Sequence, residues 1–326
     1  MGKVRNRVKR FFIMQESGVL ILTVLFIIVV TARNQVFISP ANIFDVLRAS
    51  GFTLITTVGM TMVLIAGGLD LSVGSVLGLG GIVCSMALAA GFPIIIAILA
   101  GVASGAFVGL VNAFIIVKMG ISSLMVTLGT QYVARGVCMG LTKGVPIYPL
   151  PQAFQNLEQK NWFWSVPNVV IIAALIAFIA FIVMKYTIFG RNVYAVGGNQ
   201  EAARISGVNV RRIAFSVYIL TGALAGLTGV LMTARLASGQ PNAGTGYELT
   251  VIAAAVIGGT SAFGGVGSIV GSALGAIFMQ IMGNSLTIMR INVYWQNMAI
   301  GIILLVAVII DQYRRTTLMR SGIGAS

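Results

Sequence analysis

Long apolar runs, each closed by a short polar break, recur along the chain and predict a bundle of membrane-crossing α-helices. Ten runs fit: residues 17–32, 49–66, 71–90, 93–117, 121–141, 166–184, 213–233, 249–262, 268–289 and 293–310. Lipid-facing strands would instead alternate apolar and polar residues in shorter segments. The expected fold is therefore all-α, a polytopic integral membrane protein whose single domain covers 17–311 with about ten transmembrane helices. The second, third, eighth and ninth runs are short or interrupted by glycine, which leaves full spans and re-entrant segments both open for them.

An internal repeat is suggested where those weak runs meet. IAGGLDLSVGSVLG (65–78) and VIGGTSAFGGVGSIVG (256–271) each pass from an apolar run through a Gly pair and a polar break to a VGS sequence opening the next helix. The alternative is chance similarity between Gly-rich segments. Repeat-built transporters set broken helices around the substrate path. That makes Gly67, Gly68, Asp70, Ser72 and Gly74, with Gly258, Gly259, Gly264, Gly265 and Gly267, candidate gate or helix-break residues. Asp70 falls at a helix start, where an acid caps free N–H groups and suits the dipole. Glycines four apart (Gly101/Gly105/Gly109, Gly267/Gly271/Gly275, Gly74/Gly78, Gly222/Gly226) predict close helix packing, within the chain or against a second copy.

Composition agrees with the pattern: 58% hydrophobic and 9% charged residues, against about a quarter charged in soluble domains. The net charge of +14 reads as topogenic Lys and Arg, since no separate basic domain exists to bind nucleic acid. The most basic long polar segment between runs is 185–212, which holds Lys185, Arg191, Arg204, Arg211, Arg212 and one acid, Glu201. The positive-inside rule puts it in the cytoplasm. With both termini also inside (1–16 as a basic cap, 312–326 as a tail), 14 of the 21 cations are cytoplasmic and 7 lie outside. The basic start followed by an apolar core also describes a secretory signal, but the cleavage signature is poor and many runs follow. An outer loop at 142–165 carries Pro146, Pro149 and Pro151, which mark irregular backbone, and Trp162 and Trp164, which suit the interface. Cys84 and Cys138 lie in apolar runs and read as unpaired core residues.

Chemistry is sparse. No His is present, no G-x-x-x-x-G-K-[ST] phosphate loop occurs, and no nucleophile–base or metal constellation is found, so neither an enzyme nor a resident metal or cofactor is expected. No run carries a central acid–base pair of the kind proton-coupled carriers use. Within the basic segment, Gly197-Gly198-Asn199 signals a turn, and 200–206 fits a short helix stopped by Gly207. Such a surface helix can dock in a groove of a partner; the bland alternative is a solvated loop. Asn112, Gln131, Asn284 and Asn297 are amides in spans, read as pathway-lining or as interhelical glue. Gln240, Asn242, Tyr247 and Glu248 fall in the outer stretch ASGQPNAGTGYEL, either contacting an external partner or forming a turn.

Four blocks carry a resemblance: VGMTMVLIAGGLDLSVGS (58–75), GRNVYAVGGNQEAARISGVNVRR (190–212), ARLASGQPNAGTGYEL (234–249) and VIGGTSAFGGVGSIVG (256–271). Together they resemble the membrane permease subunit of ribose-type ABC importers, which take up monosaccharides and the autoinducer-2 signal. The resemblance implies a homodimeric or paired permease in the bacterial inner membrane. Its expected partners are cytoplasmic ATPase domains that bind ATP and Mg, and an extracytoplasmic sugar-binding protein. Gly190, Arg191, Gly197, Gly198, Asn199, Glu201, Arg204, Gly207, Arg211 and Arg212 would then form the ATPase-coupling loop. The competing reading is a self-sufficient carrier or channel whose basic segment is only topogenic.

Overall fold

The computed structural model describes residues 15–162 and 166–320; the basic cap over 1–14, Trp164 and the tail beyond 320 lie outside the described residues. The described chain forms thirteen α-helices. They are α1 (Gln15–Arg33), α2 (Pro40–Ile65), α3 (Val73–Ala89), α4 (Ile94–Met119), α5 (Ser123–Thr142), α6 (Gln152–Gln159), α7 (Asn168–Tyr186), α8 (Ile188–Gly198), α9 (Gln200–Ile205), α10 (Val210–Leu236), α11 (Tyr247–Ile257), α12 (Ile269–Ile288) and α13 (Val293–Arg320). Every predicted run has a helix. Six of them, α2, α4, α7, α10, α12 and α13, are long and apolar enough to cross a bilayer; α3 and α11 are shorter apolar helices, and α1 is apolar over Gly18–Arg33.

α2 and α10 cross the middle of the bundle. α2 starts with Ser39 as N-cap and Pro40 in the first turn, a favoured start because proline lacks the N–H that would go unpaired there. Of its apolar 18-residue stretch, 83% of the residues are buried, against 22% in α4 and α7. That difference follows from composition: α4 and α7 are almost wholly apolar and present large side chains outward, while α2 carries threonines that need partners. The partners lie on neighbouring helices, Thr56 Oγ1 donating to Thr228 Oγ1 at 3.0 Å and Thr61 Oγ1 to Ser272 Oγ at 2.8 Å.

Glycine stripes bring the other central helices together. Gly101, Gly105 and Gly109 of α4 face α10, where a Cβ on Gly105 would collide with the Gly222 carbonyl and reach Gly226 Cα at 3.0 Å. Gly80 of α3 in turn leaves room for the backbone of α10 at Gly226. These stripes pack the chain against itself. The same holds for Gly271 and Gly275 of α12, which meet Gly258 and Ala254.

The eighth run, which the sequence leaves open between a full span and a re-entrant segment, forms a short helix. α11 has 11 residues, about 16 Å of helix, roughly half of what a span requires. The chain before it, 237–246, does not stay at the surface but runs back along α3. Gly239 packs on Ser85, near the end of α3, and Gly244 packs on Gly74, at its start. Residues 66–72 are likewise non-helical before α3 begins, and just past them the first turn of α3 meets the irregular 237–246 stretch, Gly74 against Gly244. Irregular backbone at such depth is tolerated where protein surrounds it.

Opposite the basic segment, the described part of the outer loop, 142–162, is clasped. Ile147 and Gly239 exchange backbone hydrogen bonds at 2.9 and 3.0 Å. α6 buries Phe154 completely, and Asn168 Nδ2 donates to the Leu157 and Lys160 carbonyls at 2.7 Å, closing the end of α6. Glu158 is buried beside the Val169 N–H with Arg48 and Arg235 nearby; burial pushes its carboxyl up to about 7 against their pull.

Candidate coupling and gating site

Gly190, buried on the backbone of Met184, lets the chain turn tightly from α7 into α8. α8 ends at Gly197-Gly198, and Asn199 Oδ1 accepts from Ala202 N at 2.9 Å to start α9. The helix expected over 200–206 runs Gln200–Ile205, and Gly207, at φ +85°, ends it. Glu201 and Arg204 are paired on its exposed face, and the Arg204 guanidinium holds the Glu201 carboxyl below its usual value. Arg191, Arg211 and Arg212 are exposed around it.

The end of α8 is wedged against both breaks. A Cβ on Gly197 would collide with the Ile65 carbonyl oxygen and lie 2.7 Å from Gly265 N. Gly265 N donates to that same Ile65 oxygen at 2.9 Å, and a Cβ on Gly264 would lie 2.8 Å from Gly67 Cα. Tyr194 Oη donates to the Gly267 carbonyl at 2.8 Å. Three backbones thus meet with almost no side chain between them: the end of α2, the second break and the basic segment. The sequence places the Gly pairs 67/68 and 258/259 in parallel, but the structure shifts them by one. Ala66 and Gly258 end their helices alike, while Gly67 and Gly259 take the left-handed turn.

Each break is tied to other helices. Asp70 is buried and accepts from Ser72 N at 2.9 Å and Ser72 Oγ at 2.6 Å. Leu69 N and Leu71 N donate to Ser123 Oγ and Thr127 Oγ1 of α5, at 3.2 and 3.1 Å. Asn112 is fully buried and donates to Ser72 Oγ at 3.0 Å, so it holds the break. In the second break, Ser261 Oγ and Ala262 N both donate to Asp311 Oδ2 of α13, at 2.9 and 3.1 Å.

Where the irregular stretches cross, a second polar cluster forms. Gln131 Nε2 donates to Glu248 Oε1 at 2.8 Å, while Arg135 donates to the Pro241 and Ala243 carbonyls at 2.7 and 2.8 Å. A Cβ on Gly74 would strike both the Glu248 carboxylate and the Gly244 carbonyl. Two expectations change. Arg135, counted among outside cations, is a structural ligand of the re-entering chain. Tyr247 and Glu248 are not on the outer surface: Glu248 is buried, and Tyr247 Oη reaches Thr53 Oγ1 of α2 at 3.2 Å. Asn242 remains exposed, with Gln240 bonded to Ser238 beside it. Asn284 exchanges hydrogen bonds with Asn42 at 2.8 and 3.1 Å, an interhelical clasp, and Asn297 sits on the exposed side of α13.

Arg135, Tyr194, Asp311 and Tyr218, whose hydroxyl reaches the Leu69 carbonyl of the first break at 3.4 Å, escape a sequence reading. Each is an ordinary surface or core type until the fold brings a distant backbone to it. Among the described residues no cluster of three or more His, Cys, Asp and Glu could hold a metal.

A family described as the permease component of branched-chain amino acid transport systems matches residues 42–308. The ribose import permease of Escherichia coli K12 is 36% identical over 316 residues, covering 95% of this chain and 98% of its own. That of Bacillus subtilis strain 168 is 36% identical, over 92% and 94% of the two chains. The L-arabinose ABC transporter permease of Azospirillum brasilense is 34% identical, over 93% and 89%. No solved structure matches.

Proposed function

The chain belongs to the permease family of ribose-type ABC importers, a transport subunit whose ATPase is a separate chain, and on that premise we propose that it forms the translocation path for a monosaccharide. Relatives named for ribose, arabinose, allose and galactose span pentoses and hexoses, so the proposed substrate class is the small neutral sugar. In this reading the basic segment is cytoplasmic, α9 docks on the ATPase, where ATP and Mg bind, and the 237–246 side faces an external sugar-binding protein.

The observation that carries the proposal is the contact of Gly197 with Ile65 and Gly265. Coupling two sites requires an element whose geometry both of them bias. α9 follows directly on a segment that touches both breaks, so a tilt of α9 is handed to both at once. Exposure of the Glu201–Arg204 pair leaves it free for a partner.

A second copy of the permease is proposed against α5. Leu124, Met125, Leu128, Tyr132 and Val133 of that helix are exposed, and a Cβ added at Gly129, Gly136 or Gly140 would meet nothing within 4 Å. Yet α5 is less apolar than the helices taken as spans, which disfavours simple contact with lipid.

The test is Glu201→Ala combined with Arg204→Ala, a change that keeps helix propensity. At matched membrane abundance, the double variant is expected to remain inserted while sugar uptake and ATPase co-purification both fall. Full uptake with full ATPase binding would remove α9 as the docking element.

A further inference from the structure

A half-open groove of about 390 Å³ lies between the end of α7, α8 and the start of α12, on the basic-segment side. Phe181, Met184 and Ile269 form an apolar floor, with Gly267 and Ser268 beside it, and the rim carries Lys185, Arg191 and the Tyr194 side chain. Lys185 Nζ sits 5.0 Å from the Phe181 ring centre and 5.4 Å from that of Tyr186, which draws the ammonium toward the apolar side. Among the described residues, the ion pairs are Arg48–Asp45 and Arg204–Glu201, so neither rim cation is matched by a carboxylate. Next to the groove, α7 exposes Phe178, Ile179 and Ile182, the surface that acyl chains cover.

The geometry points to a binding site for an anionic phospholipid of the inner leaflet, its phosphate between Lys185 and Arg191 and an acyl chain on Phe181, Met184 and Ile269. Charge complementarity selects the headgroup, and the apolar side chains of the floor, continuous with the exposed Phe178, Ile179 and Ile182 of α7, select an amphiphile over a free phosphate ion. Basic pockets at the cytoplasmic ends of helices bind such headgroups for this reason. The bound headgroup sits against Tyr194, whose hydroxyl holds the Gly267 carbonyl at 2.8 Å. A lipid there stiffens the link between α8 and the second break, so lipid composition sets how readily the coupling segment moves. The inference rests on the cytoplasmic placement proposed above, but its readout involves neither sugar nor ATPase, so failure of one is distinguishable from failure of the other.

The experiment is native mass spectrometry of the full chain extracted from vesicles of phosphatidylcholine with and without phosphatidylglycerol. Wild type is expected to retain phosphatidylglycerol selectively. Lys185→Gln with Arg191→Gln should weaken retention about fivefold per charge removed. Lys185→Arg with Arg191→Lys should restore it, showing that the loss is not one of folding. Arg211→Gln with Arg212→Gln, which removes two cations from the same side but outside the groove, should leave it within about twofold. The site is overturned if that control loses lipid equally, if phosphatidylcholine is retained as well as phosphatidylglycerol, or if glycerol phosphate displaces the lipid.

Discussion

A single methyl group distinguishes the two glycines that end α8. A Cβ on Gly197 would land on the Ile65 carbonyl, whereas one on Gly198 meets nothing within 4 Å. Gly197→Ala is therefore expected to cost about 1–3 kcal/mol as overpacking, or to lift α8 off the breaks and lower uptake. Gly198→Ala should be neutral. Thermal midpoints in detergent and uptake rates for the two variants check the pair; equal behaviour would show that the junction does not need the close approach. Glycine is legible in the sequence as a break former, but which of the two glycines bears the contact is not, because that depends on Ile65 and Gly265, far away in the chain.

Glu158 makes a second prediction at this scale. Its carboxyl is raised from an ordinary 4.5 to about 7 by burial, so the folded chain keeps a proton that the unfolded chain has already lost. Stability of the outer clasp should accordingly fall as pH rises through that window, the reverse of a salt-bridged carboxylate. Glu158→Gln should flatten the dependence and raise the melting midpoint at the alkaline end. Melting curves from about pH 5 to about pH 8 decide it, and a wild type that gains stability with pH over that range would exclude the assignment.

Among the elements, α4 is the easiest to read from sequence and α11 the hardest. An uninterrupted apolar run with glycines every fourth residue has few folded outcomes other than a span packed closely on a neighbour. Gly105→Leu is expected to drive α4 from α10 and reduce the yield of folded protein in detergent, as size-exclusion profiles would show; normal yield would argue against the stripe. α11 misleads because the apolar character of 249–262 continues past the helix into the break, where Gly258 and Gly259 turn the chain. Composition measures how well a segment tolerates an apolar setting, and irregular backbone wrapped in protein tolerates it too. Tyr247 and Glu248 are misplaced for the same reason: a Gly-Pro-rich stretch reads as surface loop unless its carbonyls are known to meet Arg135.

For the molecule as a whole, charge is the most informative signal. The structure gathers the basic segment and both breaks at one end, and Ile147 with Gly239 at the other, an arrangement on which the charge-based topology can be tested. Reporter fusions at Ile147 and Asn199 are expected to lie on opposite sides of the membrane, outside and inside; the same side for both would refute the topology. What a linear chain hides at this scale is the surface it shares with others. The open glycines of α5 become informative only once the stripes of α4 and α12 have found their partners within the chain.

The tie between Asp311 and the second break has a bearing on biosynthesis. Ser261 and Ala262 lie about 50 residues before the carboxylate that receives their hydrogen bonds. While the chain is being made, that backbone turn waits without its acceptor through the whole of α12 and most of α13. A buried polar group without a partner is costly, so the turn cannot settle into its final form before the last helix inserts beside α11. Assembly of the second break therefore has a fixed order. Translation arrested before residue 311 should leave a nascent chain whose second break is open to thiol reagents at an engineered Ala262→Cys, and extension past that point should close it.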